Sequence, residues 1–174
     1  MPSLVPLSAV PPHLVEALLD AAFEPERKAR TSYLIRGGAE PLPALSFAAL
    51  DDDDWLVGSI QVSPAALSDP QGGAHPLLMV GPVAVLPAHQ GEGYGKALMA
   101  AALGALDPAA ALPQVLIGDA PYYGRFGFAQ APRGWRCPGP WDPARLLVRG
   151  DVSALPADGM LGPWTERASG GLAN

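Results

Sequence analysis

Apolar residues recur at helical spacing in several parts of the chain. Residues 13–23 carry them on one side, and residues 26–36 repeat the pattern up to Gly37, a residue type that commonly ends helices. An alanine-rich run over residues 94–106 predicts a third helix, and residues 122–126 predict a short fourth one. Helices are thus predicted in both halves of the chain.

Shorter segments have the alternating or continuous apolar pattern of β-strands. These predicted strands cover residues 45–50, 55–63, 77–87, 114–118 and 145–149. The four aspartates at 51–54 predict a solvated turn that joins the first two strands as a hairpin, because adjacent carboxylates cannot converge on a metal ion. Residues 64–76 are predicted to form a loop. Strands that alternate with helices indicate a protein of the α/β class.

The strand predicted over residues 77–87 is interrupted at its centre by Gly81 and Pro82. Proline donates no hydrogen bond to a neighbouring strand, so within a sheet it marks an edge or a bulge. A bulge here would bend the strand and leave the backbone from Val83 to Val85 partly unpaired. That backbone is open to a ligand.

The composition excludes two classes of partner. The chain has 174 residues, of which 49% are apolar and 16% charged, and its net charge is -6. No cluster of Lys and Arg could neutralise a run of phosphates, so we expect no nucleic-acid partner. No apolar run reaches the roughly 18 residues of a membrane span, so we expect no membrane partner.

The composition also indicates how many domains the chain forms and in which cellular compartment the protein is found. We expect one domain over residues 1–167 and a disordered tail over residues 168–174. A single cysteine, Cys137, allows no intrachain disulfide and fits a reducing compartment. The start of the chain lacks the basic segment of a signal peptide, so we expect a cytoplasmic protein. The surplus of Ala, Gly, Pro and Arg over Lys is typical of a GC-rich bacterial genome.

Residues 89–97 read HQGEGYGKA, a glycine-rich loop that leads into the third predicted helix. A P-loop would need glycine in place of Gln90 and a hydroxyl residue in place of Ala97. A dinucleotide fingerprint that starts at Gly91 would need glycine where Lys96 stands. The loop is therefore neither of these two phosphate-binding motifs.

What the loop does satisfy is the pattern Q-x-x-G-x-G, with Gln90, Gly93 and Gly95. The first N–H groups of a helix have no intrahelical acceptor, and the helix dipole adds partial positive charge beside them. Glycines let an anion such as a pyrophosphate approach that backbone closely. The loop thus predicts an anion site, and a tight strand-to-helix turn without any ligand is the alternative.

A second motif, YYGRFGF at residues 122–128, follows one predicted strand downstream. The order of an interrupted strand, Q-x-x-G-x-G, a helix, a strand and Y-x-x-x-G-F resembles the GCN5-related N-acetyltransferase (GNAT) family over about residues 77–128. The form VLIGDAPYYGRFGF is most similar to the bacterial YhbS-type branch. The resemblance implies an α/β (α+β) fold in which a mixed central sheet splays apart at a bulged strand, with helices on both faces.

The resemblance implies acetyl-CoA as cosubstrate and no metal. The pantetheine arm would pair with the backbone of Val83, Ala84 and Val85, and the pyrophosphate would lie on the loop. The loop residues carried over for that role are Gln90, Gly91, Glu92, Gly93, Tyr94, Gly95 and Lys96. Glu92 departs from this picture, because a carboxylate beside a pyrophosphate repels it unless the side chain points away.

For catalysis the resemblance points to Tyr123, four residues before Gly127, as the general acid that protonates the departing thiolate. A structural ring that lines the cosubstrate is the alternative. Residues 77–87 contain no carboxylate to serve as base, and Asp119 is the nearest one in the motif region. Asp119 is a candidate base or amine-binding group, or else a cap of the helix that follows.

The sequence motifs allow three candidate functions to be compared. We expect an acetyl-CoA-dependent N-acetyltransferase that acts on a primary amine of a small molecule or protein, as a monomer or homodimer. The missing strand carboxylate favours the alternative, a non-catalytic module that binds CoA or acyl-CoA. An NAD(P) oxidoreductase is disfavoured, because the dinucleotide fingerprint fails.

Overall fold

The computed structural model describes residues 2–165, and the predicted tail at 168–174 lies outside the described residues. The helices are α1 (Pro12–Ala22), α2 (Thr31–Arg36), α3 (Tyr94–Gly104) and α4 (Ala120–Tyr123). The strands are β1 (Ser3–Pro6), β2 (Phe47–Leu50), β3 (Leu56–Ser68), β4 (Ala74–Val85), β5 (Gln114–Ile117), β6 (Ala129–Gln130), β7 (Gly134–Arg136), β8 (Leu146–Arg149) and β9 (Asp158–Pro163). Among these helices, none combines the length and apolar character that crossing a membrane requires.

The chain is organised in two compact units, each built from several segments. Over the described residues, the first comprises 2–27, 41–62 and 80–111, and the second comprises 28–40, 63–79 and 112–165. Strands β3 and β4 each contribute residues to both units. That residues 1–167 act as one domain stays a prediction.

The first unit contains an antiparallel arrangement of β1, β2 and β3. Strand β1 runs beside β2, and the hairpin from β2 to β3 pairs Phe47 with Ile60. The core of this unit packs α1 against the strands. Its buried members are Leu7, Val15, Leu19, Ala48 and Ala84. The predicted hairpin turn is present: the Asp51 carboxylate accepts hydrogen bonds from the N–H groups of Asp53 and Trp55.

The second unit mixes parallel and antiparallel pairs. Strands β4 and β5 are parallel, with Leu78 beside Gln114 and Met79 beside Val115. Strand β8 lies antiparallel to β5 and to β6, while β9 lies antiparallel to β3 and parallel to β7. Trp135 is the largest buried side chain here, and its indole Nε1 donates to the carbonyl of Pro156 at 2.9 Å. The mixed α/β class predicted from the sequence is confirmed.

The helix predicted over residues 26–36 is wrong in its first half. The chain forms a 3-10 turn over Pro25–Ala29, extends at Arg30, and only then enters α2. Polar contacts account for the break. The buried Arg27 guanidinium binds the carboxylates of α1 at Glu16 and Asp20, whereas the Thr31 hydroxyl donates to the carbonyl of Pro140.

The loop predicted over residues 64–76 is mostly strand. Strand β3 continues to Ser68 and β4 begins at Ala74, which leaves a turn of five residues. Alanines have weak strand propensity, but pairing decides here: Ala65 lies opposite Pro163 and Leu67 opposite Leu161 on β9. The sequence did not predict β9. The pairing with β9 that extends β3 could therefore not be predicted either.

The substitution Gly58→Ala on β3 tests the packing of the first unit. A Cβ atom at Gly58 would lie 3.0 Å from the Ala84 carbonyl oxygen and 3.1 Å from a methyl group of Leu98 on α3. We expect Gly58→Ala to lower the free energy of unfolding by about 1–2 kcal/mol, because backbone must shift to admit the methyl group. Urea denaturation measures the difference.

Gly104→Ala is the matched control, because a Cβ atom there meets nothing within 4 Å. At the end of α3 an alanine should leave stability unchanged or raise it by up to about 1 kcal/mol. Equal stability of Gly58→Ala and the wild type would show that β3 and the Ala84 carbonyl separate without cost.

Candidate cofactor and catalytic residues

Strand β4 carries the predicted pantetheine-binding backbone at its end. The strand continues through Gly81 and Pro82 to Val85, and Gly81 has a φ of 131°, which favours glycine. Ala84 is buried in the core of the first unit, while Val83 and Val85 are half-buried. The N–H of Leu86 donates to the carbonyl of Val57 at 2.9 Å, which holds the end of β4 against β3.

The loop after β4 is shaped by two glycines in left-handed conformations. A 3-10 turn over Pro87–His89 leads to Gly91, with a φ of 84°, and to Gly93, with a φ of 92° at the N-cap of α3. A Cβ atom at either glycine would meet no other atom within 4 Å. The backbone conformation, not crowding within the chain, therefore explains why glycine occupies both positions.

This loop presents a row of free backbone donors. The first hydrogen bond of α3 joins the N–H of Ala97 to the carbonyl of Gly93 at 3.1 Å. Within residues 2–165, the N–H groups from Gly91 to Lys96 have no protein acceptor. Gly91, Glu92 and Gly93 are exposed, so this loop lies at the surface, at the positive end of the helix dipole. The geometry fits an anion.

Acidic side chains surround this loop within the first unit. The Glu92 carboxylate lies 3.0 Å from Nδ1 of His89, and the His89 ring contacts the Tyr94 ring edge-on with centroids 5.9 Å apart. Partial burial raises the pKa of Tyr94, and the charges of Glu92, Asp51 and Asp52 raise that pKa further. Tyr94 therefore stays a neutral phenol.

In the second unit, a short turn presents Asp119 and Tyr123. After β5 the chain passes Gly118 and Asp119 into α4, followed by a 3-10 turn over Gly124–Phe126 that ends at Gly127 with a φ of 91°. The carbonyl of Asp119 accepts the N–H groups of Tyr122 and Tyr123 at 3.1 and 3.0 Å. The exposed side chain of Asp119 makes no capping hydrogen bond. The capping role considered for the Asp119 carboxylate is therefore wrong.

The Tyr123 ring lies in an aromatic cluster. Its ring contacts those of Tyr122, Phe126 and Phe128, with centroid distances of 4.9, 6.3 and 6.4 Å. Burial raises the pKa of Tyr123 above its ordinary value, with a further rise from Tyr122, and the Arg145 charge opposes the shift. The phenol is therefore in its neutral form at physiological pH.

Two residues that the sequence analysis did not single out support this turn. Arg149 on β8 donates through Nε to the carbonyl of Phe126 at 3.0 Å and through Nη1 to the Gln114 side chain at 2.8 Å. Gln114 in turn donates to the carbonyl of Leu112. No sequence signal identifies them, because the segment RLLVR reads only as a strand.

The described residues contain no candidate metal centre. Over residues 2–165, no three His, Cys, Asp or Glu side chains are grouped closely enough to hold an ion. Cys137 is buried in the core of the second unit, and desolvation raises the pKa of its thiol to about 12. A thiol in that state is a poor nucleophile.

Gly118 and Tyr123 provide a test of this geometry. A Cβ atom at Gly118 would lie 2.8 Å from Cδ2 of the Tyr123 ring, so the ring must move in Gly118→Ala. We expect this variant to lose about 1–3 kcal/mol of unfolding free energy.

The same substitution in a Tyr123→Ala background should cost much less, because the obstructing ring is gone. Denaturation of all four proteins gives the coupling energy. Additive effects of the two substitutions would contradict the described ring position.

Comparison with known proteins identifies the family. Residues 13–131 match the sequence profile of the acetyltransferase (GNAT) domain, and the chain belongs to this family. The predicted resemblance, and with it the fold class, is confirmed. No protein with a curated description matches the sequence significantly.

Solved structures place the chain near the YhbS branch. YhbS of Escherichia coli, in complex with CoA, is 25% identical over 91% of this chain and 87% of its own, with a TM-score of 0.69. A GNAT acetyltransferase of Brucella melitensis, in complex with acetyl-CoA, is 28% identical over 95% and 97%, with a TM-score of 0.65. The chain thus resembles YhbS within the acetyltransferase family.

Proposed function

We propose that this protein is an acetyl-CoA-dependent N-acetyltransferase that acts on a primary amine of a small molecule or protein. One observation carries the proposal: the N–H groups from Gly91 to Lys96 at the start of α3 have no acceptor among the described residues, an arrangement that fits an anion. The two solved relatives at 25% and 28% identity contain CoA and acetyl-CoA, whose pyrophosphate is such an anion.

The proposed binding residues follow from the loop and the strand before it. The pyrophosphate of CoA would accept hydrogen bonds from the backbone between Gln90 and Lys96, where the glycines leave room for close approach. The pantetheine arm would pair with the backbone from Val83 to Val85. Val83 and Val85 are half-buried, so part of each residue reaches solvent, and this supports the assignment.

For the reaction we assign one proton transfer to Tyr123. The amine nitrogen forms a bond to the thioester carbonyl carbon, the carbon–sulfur bond breaks, and the phenol donates its proton to the departing sulfur. The position of Tyr123 four residues before Gly127, as in the family motif Y-x-x-x-G-F, supports this role, and its raised pKa keeps the phenol in the protonated form. Asp119 is proposed to accept the amine's proton or to bind the cationic amine, since its exposed carboxylate is uncommitted among the described residues.

The second candidate is a module that binds CoA without turnover. Residues 77–87 carry no carboxylate that could serve as the base, and this favours it. For either function we propose one domain over residues 1–167, in a bacterial cytoplasm, as a monomer or homodimer.

The binding loop can be tested with Gly93→Val. A side chain at this φ of 92° strains the backbone that presents the N–H groups, so CoA affinity should fall at least about ten-fold. Calorimetric titration with CoA measures the loss.

Gly72→Val is the matched control. Gly72 has a φ of 88° in the turn between β3 and β4, so the same strain arises at a position with no proposed ligand. It should retain wild-type affinity. If the folded wild type does not bind CoA, or Gly93→Val binds as tightly as the wild type, the loop is not the binding site.

Tyr123→Phe tests the general acid. The variant should bind CoA like the wild type but release thiol from acetyl-CoA about 100-fold more slowly with an amine from a screened panel. Because the pKa of Tyr123 is raised, its deprotonation should lower the wild-type rate only above the ordinary tyrosine pKa of about 10.

Three outcomes are informative. Undiminished turnover in Tyr123→Phe refutes the proton-donor assignment. An alkaline loss centred well below the ordinary tyrosine range, abolished in Tyr123→Phe, would contradict the raised pKa. Tight CoA binding without acetylation of any small amine or lysine-containing peptide favours the binding module.

A further inference from the structure

Glu92 is a carboxylate placed inside a loop whose backbone attracts anions. It stands between Gly91 and Gly93, and its side chain is 52% exposed. An acidic side chain near the start of a helix is attracted to the same free N–H groups as a bound anion. Left uncommitted, the Glu92 carboxylate would compete with an anionic ligand for these donors or repel it.

His89 holds this carboxylate. Its Nδ1 lies 3.0 Å from Oε2 of Glu92, and because a carboxylate only accepts hydrogen bonds, Nδ1 is the donor. The His89 ring also contacts the Tyr94 ring edge-on, with the two ring centroids 5.9 Å apart. His89 thus contacts the residue between the two glycines and the first residue of α3.

We propose that His89 is a positioning residue for CoA binding, which keeps the Glu92 carboxylate away from the N–H groups that take the pyrophosphate. This inference rests on the proposed function. It assigns His89 no contact with the ligand, and it confines the effect to the diphosphate part of CoA, since the pantetheine arm carries no charge.

The neighbouring charges add to the effect of this restraint. Asp51 and Asp52 already act on Tyr94 from the hairpin turn, and Lys96 is the only cation among residues 89–96. The acidic surroundings oppose an anionic ligand, so the position of one more carboxylate alters the affinity.

The experiment uses His89→Phe, Glu92→Gln and the double variant in the full chain. Phenylalanine keeps a ring against Tyr94 but removes the donor, and glutamine removes the charge of Glu92. Calorimetry gives the Kd for CoA and, as the probe without phosphates, for pantetheine. We expect His89→Phe to weaken CoA binding about five- to twenty-fold. Glu92→Gln should bind CoA at least as tightly as the wild type.

The double variant should return to within about three-fold of Glu92→Gln, because the carboxylate that His89 restrains is absent. Pantetheine binding should change in none of the variants. His75→Phe is the matched control: His75 also binds a carboxylate, that of Asp69 at 2.9 Å, and its loss should leave the Kd for CoA unchanged.

The outcomes separate this inference from the function on which it rests. A wild type that does not bind CoA overturns both. Normal CoA binding by His89→Phe overturns the inference alone. So does a loss that persists in the double variant, or one that extends to pantetheine, because His89 would then act on the fold and not through Glu92.

Discussion

The backbone N–H groups at the start of a helix have no acceptor within the helix. In the first unit, this constraint determines what the loop before α3 can bind. Two glycines with positive φ turn the chain after β4, and among the described residues the N–H groups from Gly91 to Lys96 have no acceptor. The hydrogen bond from Leu86 to Val57 fixes the end of the strand from which the loop departs. Such a site needs no cluster of lysine or arginine, because its donors are backbone groups.

The second unit places a tyrosine ring at a chain turn through local contacts. The carbonyl of Asp119 begins the turn, Gly127 ends it, and Arg149 ties the carbonyl of Phe126 to Gln114. Tyr122 packs against the Tyr123 ring, and burial raises the pKa of the Tyr123 phenol.

Sequence reasoning succeeded where one residue type is required by backbone geometry and failed where distant partners decide. Gly93 and Gly127 signalled turns that only glycine adopts easily, and they led to the loop, to Tyr123 and to the family. The extension of β3 to Ser68 depends on β9, almost a hundred residues further along the chain, and no local pattern revealed it. Side-chain pairs such as Arg149 with Gln114 were hidden for the same reason.

Gly118 has a consequence for how this protein can diverge. The volume that its side chain would fill is taken mainly by the Tyr123 ring, with a methyl group of Leu116 also close by, so substitutions at 118 and 123 are coupled. A descendant with a larger residue at 118 can no longer hold a tyrosine in its present place. Glycine at 118 is thus a condition for this ring position.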